Sequence, residues 1–481
     1  RRELIEDGKT GLLYRTGDVS QLTAALAFLS SNGETADRLG RAGREIILTK
    51  HTPEFHYATL MKLYERLAYG THQRPEFSAR PAPAIETQPR KRLRVAFIGG
   101  RGVVSRYSGI ESYYEEAGSR LAAKGHEITA YCRSYFTPPM EEHKGMKVVR
   151  LPTIRSKHLE TLLHTFLSTL HVLTSPCDIV HYHALGPALF SFIPRLMGKK
   201  TVVTVQGLDW QRRKWGRVAA AVLRVGERAA VRFPSRTMVV SRTLRKDYRD
   251  RYKAETLYVP NGGLLRERRS PEKILEWGLQ PDQYILFLGR FSPEKGCHVL
   301  INAHERLDTG VKLVMAGAAS YCDEYSRELR RHEGERVKIL DWVCGEVLDE
   351  LLTNAMIFAL PSDMEGLSLA LLDAMGAGVC VLASDVPENR EALEGAGFMF
   401  RRGDAADLAE RLKFLIANPA VRQAAGQAAK QRVRERYLWS TVASEIEREY
   451  FGMMGWGEVG AVPKRPSGRV AEKPPERRRV G

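Results

Sequence analysis

A short apolar run that stops at a tight turn and restarts as a helix is the pattern that most limits this chain. Its clearest copy spans Phe358 to Gly376. Ile357 to Leu360 is apolar and of strand length. Pro361 and Ser362 end it, Asp363 and Glu365 follow, then Gly366, and an apolar run of helical length completes the unit. Strand, turn and helix in that order leave free helix N–H groups at a sheet edge, where α/β proteins hold ligand atoms. Alone, the segment reads equally well as a capped helix start with a solvated acid.

The pattern recurs. Leu93 to Ile98 is a buried-type strand, followed by a glycine-containing loop (Gly99, Gly100, Gly102, Ser108, Gly109), a helix from Ile110 to Ala123 and a strand from Glu127 to Cys132. The glycine spacing is not the GxGxxG fingerprint. Further strands are expected at 147–150, 178–181, 201–205 and 237–240, and in a second half at 284–288, 311–316, 337–340, 357–360, 379–383 and 397–400, with helices between them. Such alternation predicts parallel sheets covered on both faces. At 481 residues the chain exceeds one core. The expected division is a mostly helical 1–70, a proline-rich basic linker at 71–92, α/β domains at 93–265 and 266–453, and a disordered proline- and arginine-rich tail at 454–481.

Residues 1–69 resemble the end of the second half: at a constant offset of 386, 1–67 match 387–453 without a gap. Gly11-Leu12-Leu13-Tyr14-Arg15-Thr16-Gly17-Asp18 aligns with Gly397-Phe398-Met399-Phe400-Arg401-Arg402-Gly403-Asp404, Asn32 with Asn418, Gly40 with Gly426 and Tyr64 with Tyr450. Residues 1–70 are therefore expected to be the end of one domain-sized unit placed before a complete one, from a longer tandem protein or a fused partial copy. This partial copy contains none of the ligand-binding candidates named below.

The net charge of +17 favours anionic partners. The basic residues are spread through linker, tail and helices without a recognition motif, so nucleic acid is not expected, and peripheral contact with an anionic membrane is the better use of the charge. No apolar run is long enough to span a membrane. The six cysteines form no close pair and show no zinc spacing, which fits a reducing, cytoplasmic setting.

Two facing α/β halves create a cleft at the carboxyl ends of their strands. Arg290 follows one strand, and Lys295 stands five residues on, beside Gly296 at a helix start. Two cations over free N–H groups suit a diphosphate; two surface cations are the plain alternative. Glu365 and Asp373 flank the next helix start, placed for sugar or ribose hydroxyls or for capping and solvent. His181, His183 and Gln206 lie at strand ends in the first half. The two histidines share a side of an extended strand, and packing of one of them is the alternative to a ligand contact. Gly109, before a helix, would let a backbone approach a ligand.

Taken together, Gly289-Arg290 with Lys295-Gly296, Pro260-Asn261-Gly262, and Glu365-Gly366-Leu367-Ser368-Leu369 leading to Asp373-Ala374-Met375 resemble the retaining, nucleotide-sugar-dependent glycosyltransferases of family 4. The resemblance covers about 93–453. It implies a GT-B fold, two Rossmann-like α/β/α domains across a cleft, and a metal-independent hexosyl or glycosyl transfer with no cofactor. The donor is a nucleotide-diphosphate sugar. The acceptor is a glycan or lipid-linked hydroxyl in cell-surface glycan or glycolipid synthesis. Carried over residue by residue, Arg290 and Lys295 bind the diphosphate and Glu365 the donor sugar, within a donor site of Gly289, Gly366, Leu367, Ser368 and Asp373. Asp373 stands where the family has a ribose-binding glutamate, and Gln206 where it commonly has a histidine. Glutamine hydrogen-bonds but does not titrate near neutrality. Gly109, His183, Gln206 and Asp209 are the candidates for acceptor or sugar contact. The stretch Gly207 to Trp215 resembles rhamnosyl and polysaccharide-type members. The alternatives are a nucleotide-sugar epimerase of the same fold and a weakly active or non-catalytic binding protein.

Overall fold

The computed structural model describes residues 5–14, 18–50, 52, 55–57, 59–60, 91–104, 109–156, 159–211, 215–318 and 324–456. Most of the expected linker, the helix expected beyond residue 60, Ser108, Cys322 and the tail beyond 456 lie outside these residues. The chain forms two compact units, Arg1–Pro89 and Arg90–Gly481.

In the first unit, helix α1 (Val19–Ser31) is followed by α2 (Gly33–Lys50). Asp18 caps α1 by accepting from the Gln21 N–H at 2.9 Å, and Asn32 ends it by donating to the Phe28 carbonyl at 2.9 Å. The offset of 386 carries the bounds of α1 and the start of α2 onto two helices of the second unit, Ala405–Ala417 and Pro419–Arg432, the second of which ends four residues short of the position matching Lys50. There Asp404 caps with bonds of 3.0 Å and Asn418 donates to Phe414 at 2.7 Å. Repeated cap chemistry produces repeated helices, but burial differs. Leu412 is 0% exposed, whereas Leu26 at the matching position is 59% exposed.

The second unit opens with an eight-stranded sheet: β1 (Arg94–Ile98), β2 (Glu127–Arg133), β3 (Glu142–His143), β4 (Met146–Leu151), β5 (Ile179–His183), β6 (Lys200–Val205), β7 (Arg236–Val239) and β8 (Leu257–Tyr258). The order is β3-β4-β2-β1-β5-β6-β7-β8, parallel except for β3 against β4. Its helices include α3 (Gly109–Ala123), α4 (Glu160–Thr174), α5 (Phe192–Leu196), α6 (Arg217–Arg232) and α7 (Arg242–Tyr252). The second sheet is wholly parallel, in the order β11-β10-β9-β12-β13-β14. Its strands are β9 (Tyr284–Leu288), β10 (Lys312–Ala316), β11 (Val337–Leu340), β12 (Ile357–Leu360), β13 (Cys380–Ser384) and β14 (Phe398–Phe400). Every residue of β9, β12 and β13 is buried, as expected of strands covered on both faces. Helices α8 (Cys297–Glu305), α9 (Gly345–Thr353), α10 (Leu369–Ala377), α11 (Pro387–Leu393), α12 (Ala405–Ala417), α13 (Pro419–Arg432) and α14 (Trp439–Met453) follow in turn.

The chain crosses between the sheets twice, at adjacent points. The Gly263 N–H donates to the Tyr437 carbonyl at 2.6 Å, and Gly263 bridges Leu438. The second crossing departs from the expected boundary at 453, because α14 packs on the first sheet's domain. Trp439, Val442, Ile446 and Tyr450 recur at helical spacing and join the cluster of Phe97 and Tyr113. The Tyr450 hydroxyl reaches His181 Nδ1 at 2.6 Å. Glu447 pairs with His126 at 2.9 Å and with Lys124. Helical periodicity shows that α14 has an apolar face but not which domain covers it. Trp439, 3% exposed and edge-on to Tyr113 at 5.6 Å, anchors the return. Trp439→Ala should destabilise the protein by about 3–5 kcal/mol in urea unfolding, and a change under about 1 kcal/mol would show that α14 is not integral to that core.

Candidate active site

The carboxyl ends of β9 and β12 carry the site. After β9 come Gly289 and the half-buried Arg290, then a 3₁₀ turn over Pro293–Lys295 that ends at Gly296. Gly296 has φ +69°, and a Cβ there would lie 2.1 Å from the Pro361 carbonyl oxygen, so only glycine allows this helix start to meet the turn after β12. The Asp363 N–H donates to the Glu294 carbonyl at 2.9 Å. These contacts bring Lys295 to Glu365, where the ammonium donates to Oε1 at 2.6 Å. The Glu365 side chain is 8% exposed and that of Lys295 17%. A charge-assisted bond so little exposed holds both groups in place.

The first domain supplies the opposing wall. The Gln206 carbonyl lies so close to Gly366 that a Cβ on Gly366 would fall 1.8 Å from its oxygen. Gln206 Nε2 is buried without a hydrogen-bond acceptor. Asp209 opens a 3₁₀ turn just beyond, its N–H donating to the Gly207 carbonyl at 3.1 Å. Gly109 begins α3 against Leu369, the first residue of α10. Between the walls remains a cavity of about 20 Å³ lined by Gly207, Leu208, Glu294, Lys295, Glu365 and Gly366. That volume admits about one water.

Lys295, Glu365, Gly366, Gln206 and Gly109 are thus drawn to one seam. Leu367 and Ser368 line it through backbone and capping bonds. The Leu367 carbonyl accepts from Asn261 Nδ2 at 2.8 Å, and Ser368 Oγ accepts from the Leu371 N–H at 3.4 Å. Asp373 is engaged elsewhere: its Oδ1 accepts from Arg266 at 2.8 Å, and Arg266 also bonds Asp349 at 2.6 Å. The expectation of a sugar or acceptor contact for His183 is corrected. His183 is 0% exposed, stacked on His181 at 4.1 Å and enclosed by Tyr113 and Tyr114. Burial keeps its imidazole neutral by pushing its pKa well below the usual range. The shared strand side read from the sequence is real, but that side faces the core. Among the described residues no cluster of three His, Cys, Asp or Glu side chains has the geometry of a metal site.

Two carboxylates on α11 escaped the sequence reading. Glu391 reaches across the domains and accepts from the Arg242 N–H at 2.9 Å and the Thr243 N–H at 3.1 Å. It therefore caps the N-terminus of α7, where the helix dipole favours a negative charge. One turn earlier Glu388 is pushed up to about 7, first by burial and then by the charges of Glu365, Glu391 and Asp247. The signal that would have found them is the one that found Glu365, an acid at a helix start after a parallel strand.

Residues 108–262 match the family model described as glycosyl transferase 4-like domain, and 272–432 the one described as glycosyl transferases group 1. A phosphatidyl-myo-inositol mannosyltransferase of Mycobacterium leprae is 30% identical over 300 residues, covering 57% of this chain and 73% of that protein. The chain belongs to the GT-B glycosyltransferases. This glycosyltransferase is also 27% identical to an alpha-maltose-1-phosphate synthase of Mycobacterium tuberculosis over 305 residues, 56% of this chain and 78% of that one. Its fold matches sucrose-phosphate synthase from Thermosynechococcus elongatus with a TM-score of 0.67 at 22% identity, over 76% of this chain and all of that one. It matches Anabaena Alr3699/HepE, solved with UDP-glucose, with a TM-score of 0.62 at 18% identity, over 75% of this chain and all of that one. Its reaction is transfer of a sugar from a nucleotide-diphosphate sugar to an acceptor hydroxyl, with retention at the anomeric carbon.

The raised pKa of Glu388 has a stability consequence. A carboxyl that titrates higher in the folded than in the unfolded chain stabilises the fold below its unfolded pKa, and that contribution is lost as pH rises through about 7. Glu388→Gln, which cannot ionise, should raise the melting temperature at about pH 8, with the gain shrinking toward about pH 5. A gain that grows on acidification would show that Glu388 is ionised in the fold throughout.

Proposed function

We propose that Arg290 and Lys295 hold the donor diphosphate and that Glu365 holds the donor sugar, with Gly289, Gly366, Leu367 and Ser368 shaping the site and Asp373 beside the ribose. The observation that carries this reading is the Lys295–Glu365 bond of 2.6 Å, which joins residues 70 positions apart at the cleft floor. A departing diphosphate gains negative charge, and a guanidinium fork with an ammonium offsets it where water is excluded. The acceptor hydroxyl attacks the anomeric carbon from the face the diphosphate leaves, a phosphate oxygen takes its proton, and the configuration is retained. Gln206, whose amide N–H₂ has no acceptor, serves as donor to a sugar hydroxyl. Asp373 has one oxygen on Arg266, leaving the other for a ribose hydroxyl. Gly109 and Asp209 stand on the acceptor wall. Closure of Gly366 onto Gln206 shields the donor from hydrolysis.

The acceptor in this reading is a glycan or glycolipid hydroxyl, and the enzyme works at the cytoplasmic face of an anionic membrane. Support comes from the net charge of +17, from the free thiols of Cys132, Cys177, Cys297, Cys344 and Cys380, and from a relative whose name specifies phosphatidyl-myo-inositol. Among the described residues no helix is long and apolar enough to cross a membrane. The resemblance of Gly207 to Trp215 supports a rhamnosyl-type or polysaccharide-type transfer.

Lys295→Ala should lower kcat/KM for transfer by about 10²–10³, with the melting temperature within a few degrees of the parent. The measurement is nucleoside diphosphate release and glycosylated product with a panel of nucleotide sugars. Near-normal transfer by this variant would remove Lys295 from the mechanism.

A further inference from the structure

Over most of its length helix α4 is inverted. Five of its polar residues face the protein: Glu160, His164, Thr165, Ser168 and Thr169 are each no more than 4% exposed. Phe166 and Leu170 face outward at 39% and 43% exposed, with Leu159 just before the helix at 57%, whereas Val172 is buried. A helix bathed in water does the opposite. Part of the inner face is partnered, while the His164 ring nitrogens and the Thr165 hydroxyl are buried without a hydrogen-bond partner. Glu160 pairs with Arg133 at 2.5 Å, and the Thr169 hydroxyl bonds the Thr165 carbonyl at 2.7 Å and lies 3.0 Å from the Tyr182 hydroxyl.

The apolar face continues onto two further helices. Phe166 meets Phe190 at 5.9 Å between ring centres, just before α5. On α5, Phe192 is 40% exposed and Leu196 79%, and the following Met197 is 67% exposed. Phe192 in turn meets Phe233, at the end of α6, at 5.3 Å. Along α6 every exposed position is valine, alanine or arginine: Val218, Ala221, Val222 and Val225 form one stripe, and Arg217, Arg224, Arg228 and Arg232 border it. The single acid of α6, Glu227, is turned inward onto Trp210, Tyr252 and Arg251. The single acid of α4, Glu160, is buried, and α5 has none.

We propose that this face of α4, α5 and α6 is the surface by which the enzyme sits on a bilayer bearing anionic headgroups. Apolar side chains entering the headgroup–acyl boundary, flanked by arginines that reach lipid phosphates, are what an interfacial surface requires. A second copy of this chain fits less well, because a two-fold contact would set these arginines against their own counterparts. The inference deepens the acceptor reading above and rests on it for what the membrane delivers. Arg133, the partner of Glu160, is the last residue of β2, so the N-terminal end of α4 lies at the cleft end of the first sheet.

The test is co-sedimentation of the full chain with phosphatidylcholine vesicles with and without phosphatidylglycerol, at about 0.1 M salt. The parent should pellet with the anionic vesicles. Leu196→Glu combined with Met197→Glu should lower that partitioning at least about ten-fold, and Arg217→Ser with Arg228→Ser about five-fold per arginine. Val218→Glu, on a different helix, should repeat the loss. Donor hydrolysis in solution should be unchanged in all of these variants. Vesicle binding equal to the parent's in the glutamate variants, or no binding by the parent, overturns the proposal. A dimer that Leu196→Glu dissociates, without vesicle binding, would assign the face to self-association instead. Absence of nucleotide-sugar turnover by the parent would count against the acceptor reading and leave the vesicle result standing.

Discussion

The closed cleft depends on a contact made by backbone alone. Gly366 lies against the Gln206 carbonyl where a Cβ would fall 1.8 Å from the oxygen. Any larger residue at 366 would hold the two halves apart, and the wall made by Gly207 and Leu208 would no longer cover Lys295 and Glu365. The Lys295–Glu365 bond needs that cover, because a charged pair open to water contributes little. With the seam shut, the remaining cavity of about 20 Å³ is far too small for a nucleotide sugar.

Other contacts also join the two domains. The two crossings between the sheets run side by side, tied by the bond of 2.6 Å from Gly263 to Tyr437. Asn261, on the first crossing, bonds the Leu367 carbonyl next to Gly366. Glu391 caps α7 from the other domain. Beyond the second crossing, α14 packs on the first domain through Trp439 and Tyr450.

The alternation of buried runs, turns and helices was legible because strand and helix periods leave different marks and because glycine and proline punctuate them. Most expected strands formed where the pattern put them. The repeat was legible to the level of its caps: Asp18 and Asp404, Asn32 and Asn418 occupy equal positions and cap in the same way, Asp404 with one bond more than Asp18. Lys295, Glu365 and Gln206 could be singled out because each stands at the carboxyl end of a parallel strand. His183 stands in the same kind of place and is core. An alternating strand has two faces, and periodicity does not say which of them is buried against α3.

The order of strands and helices, the caps, the glycines at 296 and 366 and the acids at helix starts are written in the amino-acid sequence itself, since they follow from local backbone preference and hydrophobic period. Partnership across domains was decided by the tertiary structure. Asp373 meets Arg266, Glu391 meets the start of α7, α14 returns to the first sheet, and α4 turns Phe166 and Leu170 outward. Each of these joins residues far apart in the chain or sets one face of an element against another. A period fixes which residues share a face but carries no information about what that face will meet.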